Sequence, residues 1–200
     1  LFFYDFCVVE MRNIYIALGG NMGNRLATLQ QAVNRIDNEI GQVLRCSSIY
    51  EVPAVGFSGA IFLNACLVAE SEKTPKAILK VLKAIENKMG RKQVADGLYQ
   101  DRMIDLDLIM VDDEVLYSHD LTLPHPRFHD RLFVLQPLCE IAPEKRVPNI
   151  NQTVAQLKKT CYDPTKISPF HEVLQRPAIH FLRQFNRICV EGTIGCGKTS

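Results

Sequence analysis

Two aspartates stand two residues apart in "RMIDLDLIM", Asp105 and Asp107. The run is rich in Ile, Leu and Met and reads as a strand. Residues i and i+2 of a strand share a face, so both carboxylates point one way. Ile104, Leu106, Leu108 and Met110 then point the other way. Adjacent like charges repel, and a divalent cation would relieve the repulsion. Magnesium suits such a pair, because it binds one or two carboxylates and completes its octahedron with substrate phosphates and water. The bland alternative is the polar face of a half-solvated strand.

The surrounding residues favour the chemistry. Arg91 follows Gly90, Arg102 precedes Asp105 by three residues, and "LPHPRFHDRLF" supplies His125, Arg127 and Arg131. Arginine binds phosphate oxygens bidentately and stays charged. Carboxylates and arginines together suit a magnesium–nucleotide complex held between them. His125 and His129 are four apart, as in some zinc sites. The intervening "PRF" lacks the glutamate of H-E-x-x-H, and no third ligand is evident, so zinc is discounted.

Aromatic and amide side chains offer a second half-site. Tyr50, Phe57, Phe62 and Phe133 flank turns or strand ends, and Asn64 sits in an otherwise apolar strand. A flat heterocycle could stack on the rings and bond the amide; rings in a core and an amide satisfied by a loop fit equally well.

The elements that must position these groups follow from periodicity. "NIYIAL" is a strand ended by Gly19-Gly20. Leu26, Leu29, Val33, Ile36 and Ile40 recur at helical spacing, and Gly41 stops that helix. "VLRCSSIYEV" and "IFLNACLVAE" are strands with no helix between them. Thr74-Pro75 starts a second helix, with Ile78, Leu82, Ile85 and Met89 on its buried side. A polar loop over 91–103 leads into the Asp105 strand. The stretch 119–131 reads as loop, "VLQPLCEIAP" leads out of it, and Asn151–Lys159 reads as a small helix. The β-α-β-β-α-β order, with strands paired in sequence, predicts an α+β, ferredoxin-like layered fold: a mainly antiparallel sheet flanked by helices.

The chain has 200 residues, is 47% hydrophobic and carries a net charge of +1. That balance gives no global field calling for nucleic acid or membrane. Seven scattered cysteines without a C-x-x-C pair read as buried thiols of a reducing cytoplasm. The apolar start carries Asp5 and Glu10 and is too short to span a bilayer. Met11 reads as the natural start, with residues 1–10 as an upstream extension.

In combination these stretches resemble the 6-hydroxymethyl-7,8-dihydropterin pyrophosphokinase family. The resemblance is carried by "IALGGNMGNR", "SSIYEVPAVG", "FLNACL", "IENKMGR", "DRMIDLDLI" and "LTLPHPRFHDRLFVLQPLCEIAP", in the family's order over about residues 13 to 145. R-x-x-D-L-D followed by P-H-P-R is the specific part. The resemblance implies transfer of pyrophosphate from ATP to the hydroxymethyl group of a reduced pterin, with AMP released. It implies that Asp105 and Asp107 hold two magnesium ions, that Arg91, Arg102, His125 and Arg131 contact the nucleotide and its phosphates, and that Glu86 and Thr122 lie near the nucleotide. Arg91 and Arg102 join the aspartates as catalytic positions. Phe62 and Phe133 would sandwich the pterin, Asn64 would bond its polar edge, and backbone around Val52 and Val55 would complete the pocket. Tyr99 stands where some members have Trp, and keeps an aromatic lid. Gly20 stands where Ser is common, and Gln93 where a second loop Arg is often found.

The last thirteen residues, "ICVEGTIGCGKTS", contain a phosphate-loop signature in Gly192, Gly197, Lys198 and Thr199. It resembles the opening of a deoxynucleoside kinase. The expected layout is an extension over 1–10, a pterin pyrophosphokinase domain over 11–162, a proline-dotted linker over 163–186 with a helix near 179–185, and the truncated start of a kinase domain over 187–200. That stub would lack the helix, metal ligands and nucleoside pocket a kinase needs, so the phosphate loop is expected to be vestigial and poorly ordered. A fragment of a nucleoside kinase and a non-catalytic ligand-binding module are the competing readings. The expected partners are ATP and a reduced pterin, with no nucleic acid or membrane.

Overall fold

The computed structural model describes residues 10–91 and 101–177. Strand β1 (Arg12–Gly20) leads into helix α1 (Arg25–Glu39), whose first turn is capped by the Asn24 side chain accepting from Ala27 N–H. Strands β2 (Gln42–Cys46) and β3 (Ser48–Val52) are the two halves of the expected "VLRCSSIYEV" strand. They break at Ser47, whose hydroxyl accepts from the Cys66 N–H at 2.9 Å. Strand β4 (Phe62–Ser71) pairs with both halves. Helix α2 (Pro75–Lys88) starts at the Thr74 cap as expected, and β5 (Asp105–Val111) carries the aspartate pair.

The main sheet runs β10-β3-β4-β1-β5, with every pairing antiparallel; its first strand, β10, spans Ser168–Val173. Strands are therefore not paired in chain order. The α1 crossover leaves room for β4 to insert between β1 and β3, which is the split arrangement of ferredoxin-like folds. Ile14, Ile16, Leu18, Leu67, Leu106 and Leu108 pack one face of the sheet against α1 and α2. The other face, with Tyr15, Cys66, Val68 and Met110, is covered by α3 (Leu132–Ile141) and α4 (Val154–Thr160).

Two small hairpins complete the chain: β6 (Leu116–Tyr117) with β7 (Thr122–Leu123), and β8 (Arg146–Val147) with β9 (Gln152–Thr153).

Three sequence expectations are corrected. Met110 does not share a face with Leu106 and Leu108, because a register shift opposite Tyr15/Ile16 inserts Ile109 and turns Met110 over. "LFVLQPLCEI" is helix α3; Pro137 inside it removes an N–H and hides the helical signal. The span read as linker contains β10, an exposed edge strand opposite β3 in which Ser168 and Pro169 face Glu51 and Tyr50. Pro169 fits there because an edge strand tolerates a missing donor. Leu174 behind it is buried in the α1 core.

Cys66 is fully buried, and burial pushes its thiol up; burial also pushes the Cys46 thiol up to about 11. No described helix is long and apolar enough to cross a membrane.

Candidate active site

The α3–α4 layer covers only part of its sheet face. Beyond it, the ends of β1, β4 and β5 form the floor of an open cleft of about 470 Å³. The register sets Asn64 of β4 beside Gly19 of β1, and Gly19 beside Asp105 of β5. Asp107 lies one step along, opposite Ala17. The i, i+2 reading of the carboxylates holds: both line the cleft while Leu106 and Leu108 are buried on the other face.

Gly19 is needed for this floor. A Cβ built there would lie 2.7 Å from Asn64 Oδ1, so the amide occupies the space a side chain would take. Among the described residues, the Asn64 amide makes no hydrogen bond; it faces the cleft.

The two carboxylates differ in their partners. Asp105 accepts from Arg91 at 2.5 Å on Oδ1 and from Arg102 at 2.6 Å on Oδ2. Burial opposes its charge, but Arg102 and Arg91 outweigh burial and hold its carboxyl below the usual range. No salt bridge closes on Asp107 among the described residues. Burial and then the Asp105 charge push its carboxyl up, against the weaker pull of His125, Lys83 and Arg131. His125 is brought there by its own backbone N–H, which donates to Ile109 carbonyl at 2.8 Å on the free edge of β5. Burial pushes the imidazole down, and Asp107 opposes that.

Behind the pair, Glu86 is 1% exposed and ties α2 to β5. It accepts from Leu106 N–H at 2.8 Å and pairs with Arg91 and Lys83. On the near side, Asn21 staples three segments: its amide donates to Asp101 at 2.5 Å and Ala60 carbonyl at 3.0 Å, and its oxygen accepts from Arg102 N–H at 2.8 Å.

The far end is aromatic. Phe62 meets Phe57 edge-on, with centroids 6.2 Å apart. Phe133 lies under the Arg131 guanidinium at 5.7 Å, and Val52 and Val55 line the same end.

Most of the expected site residues thus meet in one cleft: Arg102, Asp105 and Asp107 on the β5 side, Val52, Val55, Phe62 and Asn64 towards β3 and β4, and Arg131 together with Phe133. Arg91, Glu86 and His125 stand behind the carboxylates, engaged with them directly or through their charge. Thr122 is paired with Tyr117 in the small hairpin and does not line the cleft. Tyr99, Gln93 and the phosphate-loop residues Gly192, Gly197, Lys198 and Thr199 lie outside the described residues, as does the helix expected near 179–185.

Sequence reasoning missed Asn21, Asp101 and the wall formed by Tyr162, Asp163, Pro164 and Thr165. Asn21 after Gly19-Gly20 carried a turn signal that could have found it. The wall had no signal, since its meaning depends on where β10 docks.

The family model described as 7,8-dihydro-6-hydroxymethylpterin-pyrophosphokinase matches residues 15–143. A Porphyromonas gingivalis protein named 2-amino-4-hydroxy-6-hydroxymethyldihydropteridine pyrophosphokinase is 38% identical over 148 residues, covering 70% of this chain and 100% of its own. The Bacillus subtilis protein of the same name is 40% identical over 134 residues, covering 66% and 79%. Among solved structures, an HPPK-DHPS chain in complex with substrates superposes with a TM-score of 0.61 at 14% identity, over 76% of this chain and 43% of that one. That likeness concerns the fold, and this chain spans less than half the length of that chain.

Proposed function

The chain belongs to the 7,8-dihydro-6-hydroxymethylpterin-pyrophosphokinase family, and we propose that the cleft over β1, β4 and β5 is where it carries out the family's reaction. It is an ATP-dependent diphosphokinase of folate biosynthesis, acting on 6-hydroxymethyl-7,8-dihydropterin. The observation that carries the assignment of roles is the polarity of the cleft. The paired carboxylates and Arg102 lie on the β5 side, Phe62 and the Asn64 amide lie on the β4 side, and the Arg131 guanidinium lies over the Phe133 ring.

In this reading the pterin lies between Phe62 and Phe133, with its polar edge on Asn64 and on backbone near Val52 and Val55. Its hydroxymethyl oxygen then faces the β5 side. That oxygen bonds to the β-phosphorus of ATP as the bridge to the α-phosphate breaks; the alcohol proton passes to water and AMP leaves. Arg91, Arg102, His125 and Arg131 neutralise the phosphates, Glu86 anchors Arg91 at the nucleotide end, and Thr122, which does not line the cleft, is assigned to the nucleotide by the family resemblance alone. The chain's contribution is mainly positioning, charge neutralisation and exclusion of water, as is general for phosphoryl transfer. Tyr99, outside the described residues, is assigned to the pterin by the family resemblance alone.

The donor set fits magnesium. Asp107 is a half-buried carboxylate pushed up by burial and then by the Asp105 charge, with no salt bridge of its own among the described residues, and a divalent cation held there would offset that penalty. Asp105 and Asp107 would hold it, and we extend the proposal to two ions. Magnesium bound there supplies neutralisation of the phosphate oxygens. Asp105 shares its oxygens with Arg91 and Arg102, so these guanidiniums stay within reach of the same phosphates.

Incubation with ATP, magnesium and 6-hydroxymethyl-7,8-dihydropterin tests the reaction: AMP forms only when the pterin is present. ADP as the nucleotide product would overturn it. The proposed partners are these two small molecules, and a cytoplasmic location is proposed because ATP and a reduced pterin are its substrates. Fusion to a nucleoside kinase rests on the "EGTIGCGKTS" motif alone, outside both the matched segment and the described residues. Sequencing of the parent transcript beyond Ser200 decides it: a continuing kinase domain supports the fusion, and a stop codon removes it.

A further inference from the structure

One wall of the cleft lies beyond the matched segment, which ends at residue 143. Tyr162, Asp163, Pro164 and Thr165 face the cleft between α4 and β10. This stretch is fixed at both ends. Helix α4 is held by a capping box between Thr153 and Gln156. Strand β10 is paired with β3, Leu174 is buried, and Gln175 N–H donates to Gln30 at 2.7 Å.

Asp163 is the residue in this strap with bonds to the rest of the site. Its Oδ2 accepts from the Leu132 N–H at 2.8 Å, and its Oδ1 accepts from the Thr165 N–H at 2.9 Å. Leu132 opens α3, and Arg131, which precedes it, supplies no side-chain cap. The first amides of a helix have no partner within the helix. Asp163 therefore provides from across the fold the acceptor that a local Ser or Asn usually provides. Arg131 also acts on Asp163 through its charge, while its guanidinium lies over Phe133 at 5.7 Å.

We propose that Asp163 is a positioning residue for the pterin end of the cleft: by capping α3 and facing Arg131, it fixes the directions in which the first turn of α3 presents Arg131 and Phe133. The proposal rests on the reading of this cleft as the pterin site. An uncapped first turn frays, and small displacements of a positioning group carry large kinetic effects. The strap thereby makes residues outside the matched segment part of the substrate pocket.

The test uses the full chain with Asp163→Ala and Asp163→Asn. A cap is worth about 1 kcal/mol, so Asp163→Ala raises the KM for the dihydropterin roughly fivefold to tenfold while kcat stays within about twofold. Asp163→Asn keeps a carbonyl oxygen for the Leu132 N–H and returns the KM to within about threefold of the parent. Hydrogen exchange of the Leu132 amide speeds up in the Ala variant and is restored in the Asn variant. Unchanged KM and unchanged Leu132 exchange in Asp163→Ala overturn the proposal. So does an equal loss of activity in both variants that tracks only the fraction folded. If the parent chain makes no pterin-dependent AMP, the functional reading fails instead; Leu132 exchange still tests the Asp163 contact.

Discussion

Asp105 and Asp107 share one face of β5, two residues apart, yet their carboxyls are driven in opposite directions. Both are opposed by burial. Asp105 is rescued by Arg102 and Arg91, whereas Asp107 meets the negative charge of Asp105. One carboxylate is neutralised by the chain itself, and the other is left for a cation to neutralise.

This asymmetry separates the two alanine variants. Each loses turnover by about 100-fold or more, as removal of a group stabilising transferred phosphoryl charge does. Their stabilities diverge. Asp105→Ala leaves Arg91 and Arg102 without their shared partner and lowers the melting temperature. Asp107→Ala removes a repelled, half-buried carboxylate and leaves the melting temperature unchanged or raises it. Calorimetry beside an AMP assay reads both effects. Equal destabilisation by the two substitutions would refute the asymmetry.

Glu86 is expected to matter more for stability than for binding. It is 1% exposed and joins the Leu106 N–H, Arg91 and Lys83. Glu86→Ala leaves the buried Leu106 N–H without its acceptor, at a cost of about 1–3 kcal/mol, while Lys83 and Arg91 are partly exposed and Arg91 keeps Asp105, so the urea midpoint shifts down at constant slope. Glu86→Gln retains an acceptor for Leu106 and loses less. A midpoint unmoved in Glu86→Ala would show that the network contributes nothing.

The charged end of this site was legible because strand periodicity acts locally: an i, i+2 pair lands on one face whatever the rest of the fold does. The two helices with clear caps, at Asn24 and Thr74, were legible for the same reason. Local pattern failed where tertiary contacts decide. Met110 changed faces through a bulge set by pairing with β1. Helix α3 persists around Pro137 because Val134, Leu135 and Leu138 are buried against the sheet. Strand β10 exists because β3 offers it an edge.

Gly19 and Asn64 should behave as a coupled pair. A Cβ at Gly19 falls 2.7 Å from Asn64 Oδ1, so Gly19→Ala displaces the amide from the cleft floor. We expect the dihydropterin KM to rise about tenfold, the equivalent of one lost hydrogen bond of roughly 1.4 kcal/mol. Asn64→Ala should have a comparable effect, and the double variant should be little worse than either one, because both remove the same contact. Strict additivity across the cycle would mean that Gly19 serves the strand and not the amide.

Asp163 gives the fold a defined acid response. Burial opposes its charge, but Thr165, the Leu132 N–H and Arg131 together hold its carboxyl below the ordinary range. An unfolded aspartate titrates near about 3.9. A carboxyl lowered by folding contributes stability that is present above that value and lost as pH falls through its folded value. Asp163→Asn removes this contribution. The melting temperature of the variant should therefore lie below that of the parent at pH 6 to 7, and the gap should close as the pH is taken down through about 4 towards 2. A gap that stays constant across this range would show that the Asp163 charge adds no stability beyond the acceptor oxygen that asparagine keeps for the Leu132 N–H.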